Sequence, residues 1–189
     1  MQVQNISFGA RYLKSATIQK KTPLGPEDYR VAMVELNPYD VNDFAAVDSI
    51  PFKWGSYSDI PKAYANNIKN IFLELSEQGS LRFYALTQQK ENFENLESDL
   101  ILSIAETSNF DDKTLCLELL ETYFAESYTS KIAKFKHIGH AMLDNIKILS
   151  RGKDIVAEVA ENAEKFYEKE GFERIAGGIN RYIFRSIKF

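Results

Sequence analysis

Hydrophobic and polar positions change their period several times along the chain, and each change marks an element. Residues 9–20 mix aromatic and β-branched residues with polar ones, as a half-exposed strand does. Residues 29–36, Tyr-Arg-Val-Ala-Met-Val-Glu-Leu, form its predicted hairpin partner across the turn cluster 22–28. Asn37-Pro38 breaks that strand. Asp40 then caps a short predicted helix carrying Val41, Phe44, Ala45 and Val47, and residues 49–58 read as irregular. A longer helix is predicted over 59–78, with Pro61 in its first turn, a stripe of Tyr64, Ile68, Ile71, Phe72 and Leu75, and Gly79 at its end. Strands follow over 81–86 and 96–107, separated by a polar turn at 88–95. After the loop 108–112, residues 114–122 alternate as a strand, although Leu and Glu favour helix.

Beyond a long connection over 123–136, Ile138, Met142, Ile146 and Leu149 share one side of a predicted helix, 138–149. The β-branched run 154–159 is the next strand. A second helical pattern puts Ala163, Phe166 and Tyr167 on one face and Glu164, Lys165 and Glu168 on the other, and Gly171 sits where a C-terminal capping glycine belongs. Phe172 opens another extended run, and Gly177-Gly178 makes a turn between strands at 173–176 and 180–187. Strand 114–122, helix 138–149 and strand 154–159 have the size of a βαβ unit, which requires two parallel strands.

Residues 160–172 carry a more specific signal. Ala163, Phe166, Tyr167, Lys169, Gly171 and Phe172 fall in register with the pattern Asn-x-x-Ala-x-x-(aliphatic or aromatic)-Tyr-x-Lys-x-Gly-Phe, with Ala160 at the Asn position. This stretch resembles the C-terminal signature of the GNAT superfamily of N-acetyltransferases. The resemblance also places a strand at 114–122. It implies an α/β (α+β) fold: one domain over residues 1–189, with a mixed, largely antiparallel sheet and helices on both faces. It further implies acyl transfer from acetyl-CoA, as co-substrate, to an amine-bearing acceptor.

The loop before helix 138–149 gathers Lys131, Lys134, Lys136, His137 and His140 at a helix N-terminus, in a chain of net charge -4. Free N–H groups and the helix dipole suit a phosphate there, although a solvated basic loop would show the same residues. The resemblance places the coenzyme A pyrophosphate here, through the pattern Gln/Arg-x-x-Gly-x-Gly/Ala. Lys134, His137 and Gly139 occupy its key positions, with His137 replacing a glycine, and Ile138, Gly139, His140 and Ala141 start the helix. It also implies that the backbone of strand 114–122, at Leu120 and Thr122, pairs with the pantetheine arm, and that Phe166 lies beside the coenzyme. Tyr167 would be the general acid that protonates the departing thiolate, as a positioned phenol can; a core tyrosine is the other reading. A general base would be a carboxylate, and Glu118, Glu121 and Glu106 stand unranked.

Composition narrows the function further. The negative net charge and the absence of a basic stripe interleaved with aromatics argue against nucleic acid. One cysteine, Cys116, excludes an internal disulfide and fits a reducing compartment; it lies in an apolar run and reads as a core residue. No signal-peptide pattern or membrane-length apolar window is present, so a cytoplasmic protein is expected. His137 and His140 lack the third ligand that a metal site needs. A homodimer stays open. Two function classes remain: an acyl-CoA-dependent N-acyltransferase, or a domain of the same fold that has lost catalysis and serves binding. The βαβ reading makes a direct prediction, that 114–122 and 154–159 are parallel neighbours; a helical 114–122 would overturn it.

Overall fold

A computed structural model describes residues 9–54, 81–123, 134–177 and 180–186. The helix expected over 59–78, and Lys131, lie outside them. The strands are β1 (Arg11–Thr22), β2 (Gly25–Leu36), β3 (Leu81–Thr87), β4 (Ile101–Asn109), β5 (Thr114–Thr122), β6 (Phe135–Lys136), β7 (Asp154–Glu158), β8 (Glu173–Arg174) and β9 (Arg181–Phe184). The helices are α1 (Val41–Trp54), α2 (Ile138–Leu149) and α3 (Glu164–Lys169).

Among the described residues, all nine strands join one sheet, in the order β6-β1-β2-β3-β4-β5-β7-β9-β8. β5 and β7 run parallel, from Thr114 beside Asp154 to Leu117 beside Ala157, and α2 links them. The other pairings are antiparallel. The predicted βαβ unit is therefore present, and the sheet is mixed and largely antiparallel.

Alternation along the strands supplies two cores. On β2, Val31 and Met33 face one way, toward a cluster with Met142, Leu143 and Ile146 of α2 and Tyr167 of α3. Ala32, Val34 and Leu36 face the other way, toward Ala46, Val47 and Ile50 of α1. Both faces of the central strands are thus covered by helices, which explains why their apolar runs are nearly continuous.

Several boundaries differ from expectation. α1 runs on to Trp54 through Pro51, where the sequence reads as irregular. A proline in a helix interior costs about 3 kcal/mol by propensity; burial of Ala46, Val47 and Ile50 against the sheet carries the helix across it. The strand expected over 96–107 begins only at Ile101, after a 3-10 turn at Ser98–Leu100. Leu96 is buried there by a turn, in which the Gln89 side chain donates to the carbonyls of Glu91, Asn92 and Asn95 and accepts from Glu97 N–H. The β1–β2 turn is tighter than 22–28, since Thr22 pairs directly with Gly25. The run 123–136 is not wholly connection: β6 pairs with β1, and Phe135 is buried against Tyr29 at a ring distance of 5.1 Å.

Asp40 caps α1 as expected, accepting from Asn42 N–H at 2.9 Å. One turn on, Asp43 is fully buried and accepts from Ala10 N–H at 3.1 Å and Asn37 N–H at 2.7 Å. It thereby ties α1 to the approach to β1 and the exit of β2. Burial, reinforced by the Asp40 charge and opposed by those two hydrogen bonds, pushes its carboxyl up to about 6. Asp43→Ala leaves both N–H groups without their acceptor and is expected to cost about 2–4 kcal/mol, read as a lower urea midpoint with an unchanged slope.

Candidate functional site

The site is built where β5 and β7 separate. Their pairing ends at Leu117 and Ala157, yet β5 continues along β4 until Thr122 lies opposite Ser103. The separation coincides with a bulge. Glu106 pairs with Leu119 and Thr107 with Leu117, so Glu118 is the extra residue. A bulge raises local twist and bends its strand. Beyond it, β7 gives way at Ala160 to a 3-10 turn, while Val159 N–H bonds to Asn180 O at 2.8 Å on the β9 side. Among the described residues, the β7-facing edge of 118–122 has no strand partner. An edge without a strand partner is one that an extended amide-bearing ligand can pair with.

The N-terminus of α2 stands at the mouth of the cleft. The first intrahelical bond runs from Ala141 N–H to His137 O at 2.9 Å, so the N–H groups of Ile138, Gly139 and His140 precede it. A Cβ on Gly139 would lie 3.4 Å from the Phe166 ring and 3.7 Å from Thr122 Oγ1. These are ordinary contact distances that a methyl group would fill, so α2, α3 and the end of β5 come together at Gly139, and three residues that the resemblance assigns to the coenzyme converge.

His137 caps α2 in the left-handed region, with φ 63° and ψ 21°, and no side chain caps the helix. The glycine-type turn is therefore kept, although the glycine is not. Histidine tolerates this region better than branched residues do, at a cost glycine would not carry. Ala160 precedes its 3-10 turn with φ -63° and ψ 145°, a capping conformation with no side chain to cap.

The other assigned residues separate into backbone and side-chain roles. Ile138 and Ala141 are buried in the α2-side core and Leu120 packs against it, so their side chains are taken up by packing, and the Ala141 N–H is already bonded to His137 O. Lys134 is exposed and Lys136 half-buried on β6. His140 donates or accepts at both ring nitrogens, 2.7 Å from Glu170 and 3.1 Å from Asp144, and the Lys147 ammonium lies 3.2 Å from Glu170. The two carboxylates face opposite ring nitrogens and an ammonium is already among them, so this grouping is an ion-pair network that fastens α2 to the end of α3.

Tyr167 is buried between Phe166 and Phe172, with ring centroids 5.3 and 5.2 Å away in edge-on contact. The three glutamates lie on β4 and β5. Glu118 is exposed and accepts from Ser108 Oγ at 2.6 Å. Burial raises the Glu121 carboxyl, and a hydrogen bond from Thr122 N–H opposes the rise. Glu106 is only 4% exposed and, among the described residues, has no hydrogen-bond or ion-pair partner. Burial, and then the Glu118 charge, push it up to about 7. Its sequence signal was a lone carboxylate in the apolar run Ile101-Leu-Ser-Ile-Ala-Glu106. Cys116 is half-buried, and burial and Glu118 raise its thiol.

No family model matches the sequence, and no curated protein matches it significantly. Solved structures do match. An acetyltransferase from Thermus thermophilus superposes with a TM-score of 0.57 at 14% identity, covering 83% of this chain and 97% of its own. A GNAT-family acetyltransferase from Desulfovibrio desulfuricans gives a TM-score of 0.53 at 14% identity over 91% and 99%. The fold is a GNAT fold. PaiA N-acetyltransferase from Thermoplasma acidophilum, solved in complex with coenzyme A, shares this GNAT fold at a TM-score of 0.51 and 14% identity over 82% and 99%. Among the described residues, no helix of this GNAT fold is long and apolar enough to cross a membrane.

Two substitutions test the local geometry. His137→Gly releases the left-handed strain and is expected to raise stability by about 1 kcal/mol, seen as a higher Tm. Ala160→Asn supplies the missing cap and is expected to add about 0.5–2 kcal/mol by the same measurement.

Proposed function

We propose that the protein is an acyltransferase that moves an acetyl or related acyl group from acyl-CoA to an amine. The observation that carries this reading is the convergence of Thr122, Gly139 and Phe166 at the point where β5 leaves β7. An open strand edge beside a helix N-terminus suits a ligand with an amide-rich arm and a phosphate head, which is the chemistry of coenzyme A. The coenzyme-bound solved structure of the same fold supports the choice of ligand.

In this reading the β7-facing peptide groups of 118–122 receive the pantetheine amides. The first-turn N–H groups of Ile138, Gly139 and His140 receive the pyrophosphate, with Lys134 and Lys136 adding positive charge. Glu106 is the general base. A carboxylate titrating near neutrality is matched to removing a proton from an ammonium or attacking amine. Glu118 and Glu121 then act through charge and strand structure. The amine nitrogen bonds to the acyl carbon, Glu106 takes the proton it loses, the carbon–sulfur bond breaks, and the Tyr167 hydroxyl protonates the departing thiolate. A second reading, a binding module without catalysis, draws on the altered residues Ala160 and His137.

The test is acyl transfer from acetyl-CoA to a panel of amines, beside calorimetric coenzyme binding, for wild type, Glu106→Gln and Tyr167→Phe. Enzyme chemistry predicts turnover lowered by roughly 10²-fold or more in each variant with coenzyme affinity nearly unchanged. Coenzyme binding by wild type without transfer would favour the module; absence of both would defeat the proposal. The pH dependence has two opposite signs. As a base, Glu106 must be ionised, so kcat/KM rises with pH through about 7. For stability, the folded protein holds the Glu106 proton from 4.5 up to about 7, so stability falls as pH rises across that window. Glu106→Gln removes this loss, and its Tm should exceed that of wild type by a margin that grows with pH across the window.

A further inference from the structure

At the other end of α2, the same face of the sheet holds a cavity of about 340 Å³ between the helix C-terminus and β1, β2, β3, β4 and β5. Leu115, Ile146 and Leu149 give it an apolar base continuous with the α2-side core. Its rim is cationic: Arg11, Arg82, Arg151 and Lys153 line it, against the single carboxylate of Glu35. That excess stands out on a chain of net charge -4. The partial negative charge of a helix C-terminus, about half a unit, offsets little of it.

The charges are held in place. Glu35 is 14% exposed and bonded at one oxygen by Arg11 and at the other by Arg82, across three neighbouring strands. Burial would raise its carboxyl, but the two guanidinium groups outweigh that and hold it below the ordinary range. Each guanidinium has five N–H donors, so both keep donors beyond the Glu35 bond. Lys153 is positioned by Asn109 Oδ1 at 3.0 Å and Asp111 O at 3.2 Å. Arg151 sits in a left-handed turn, φ 52°, and among the described residues its side chain has no hydrogen-bond or ion-pair partner. Cross-strand pairing accounts for Arg11 and Arg82 alone; it leaves Arg151, Lys153 and the apolar base unexplained.

We propose that this cavity is a binding site for a small organic anion with an apolar body and at least two negative charges on carboxylate or phosphate groups. Guanidinium forks recognise both oxyanions by paired hydrogen bonds, and the apolar base receives the body of the ligand. The volume lies in the range of small-ligand sites. α2 is 12 residues long, so the cavity lies about 18 Å from the pyrophosphate-facing N–H groups at about 1.5 Å per residue. It is a separate site on the shared helix.

The experiment is calorimetric titration of the full chain at fixed ionic strength with phthalate, phenyl phosphate, inorganic phosphate and benzyl alcohol. Phthalate and phenyl phosphate separate the two oxyanion sources; the last two probes remove the body or the charge. At least one of the first two is expected to bind with a Kd below about 1 mM, and tighter than either control. Arg151→Ala, a change at an exposed side chain, should weaken it by about tenfold, as should Lys153→Ala. Lys134→Glu, at the opposite end of α2, should leave it unchanged. No binding of either dianion, binding indifferent to Arg151→Ala and Lys153→Ala, or binding lost in Lys134→Glu would overturn the proposal.

Discussion

The molecule turns on the parting of two parallel strands. As long as β5 and β7 are paired, from Thr114 to Leu117, their peptide groups satisfy each other and nothing else can bind there. The extra residue at Glu118 bends β5 while β4 holds it in register, and the edge beyond is left to an outside partner. A sheet interior normally forbids such an opening, because buried N–H and C=O groups without partners cost too much. It persists at an end of the pairing, where the groups can reach solvent or ligand. The first turn of α2 returns to the same place, where Gly139 meets Thr122 at the end of β5 and Phe166 of α3.

Polar residues inside this frame are few and have distinct tasks. Asp43 is buried and fully engaged, and it joins three segments of backbone. Glu106 is buried and unpaired among the described residues, and its proton is held to near neutrality. The contrast is chemical: Asp43 accepts two backbone N–H groups and ties segments together, while Glu106 is raised by burial and then by the charge of Glu118. The His140, Asp144, Lys147 and Glu170 network is a third kind, surface-exposed in part and worth more as a fastening of α2 to α3 than as a source of chemistry.

Much of this was legible in the sequence, for physical reasons that differ by element. β5, α2 and β7 have long enough apolar periods to declare themselves, and their order dictates parallel pairing. Phe166, Tyr167, Gly171 and Phe172 gave the third helix and its stop. β6 was not legible, because two residues cannot display a period and its partner lies over a hundred positions earlier. α1 outran its expected end because tertiary burial overrode Pro51. Leu96 shows in the sequence like a strand residue because burial by a turn and burial by a strand leave the same apolar mark. At the site, residue type suggested Gly139 and Tyr167, but the differing burial of Glu106, Glu118 and Glu121 on neighbouring strands has no mark in the sequence. The left-handed backbone at His137 was not legible either, since a histidine in place of a glycine does not by itself declare a positive φ.

The pairing of β6 with β1 has one more consequence. Gln19 and Lys20 hold Lys136 and Phe135, and Lys21 N–H holds Lys134 O, immediately before α2 begins. Whatever the chain does between Tyr123 and Lys134, its return is clamped to the outer edge of the sheet before the helix starts. The entropy of closing a segment grows only with the logarithm of its length. A change in the length of that stretch therefore costs little while the first turn of α2 stays in register with β5, so the cleft is insulated from what precedes the helix in the chain.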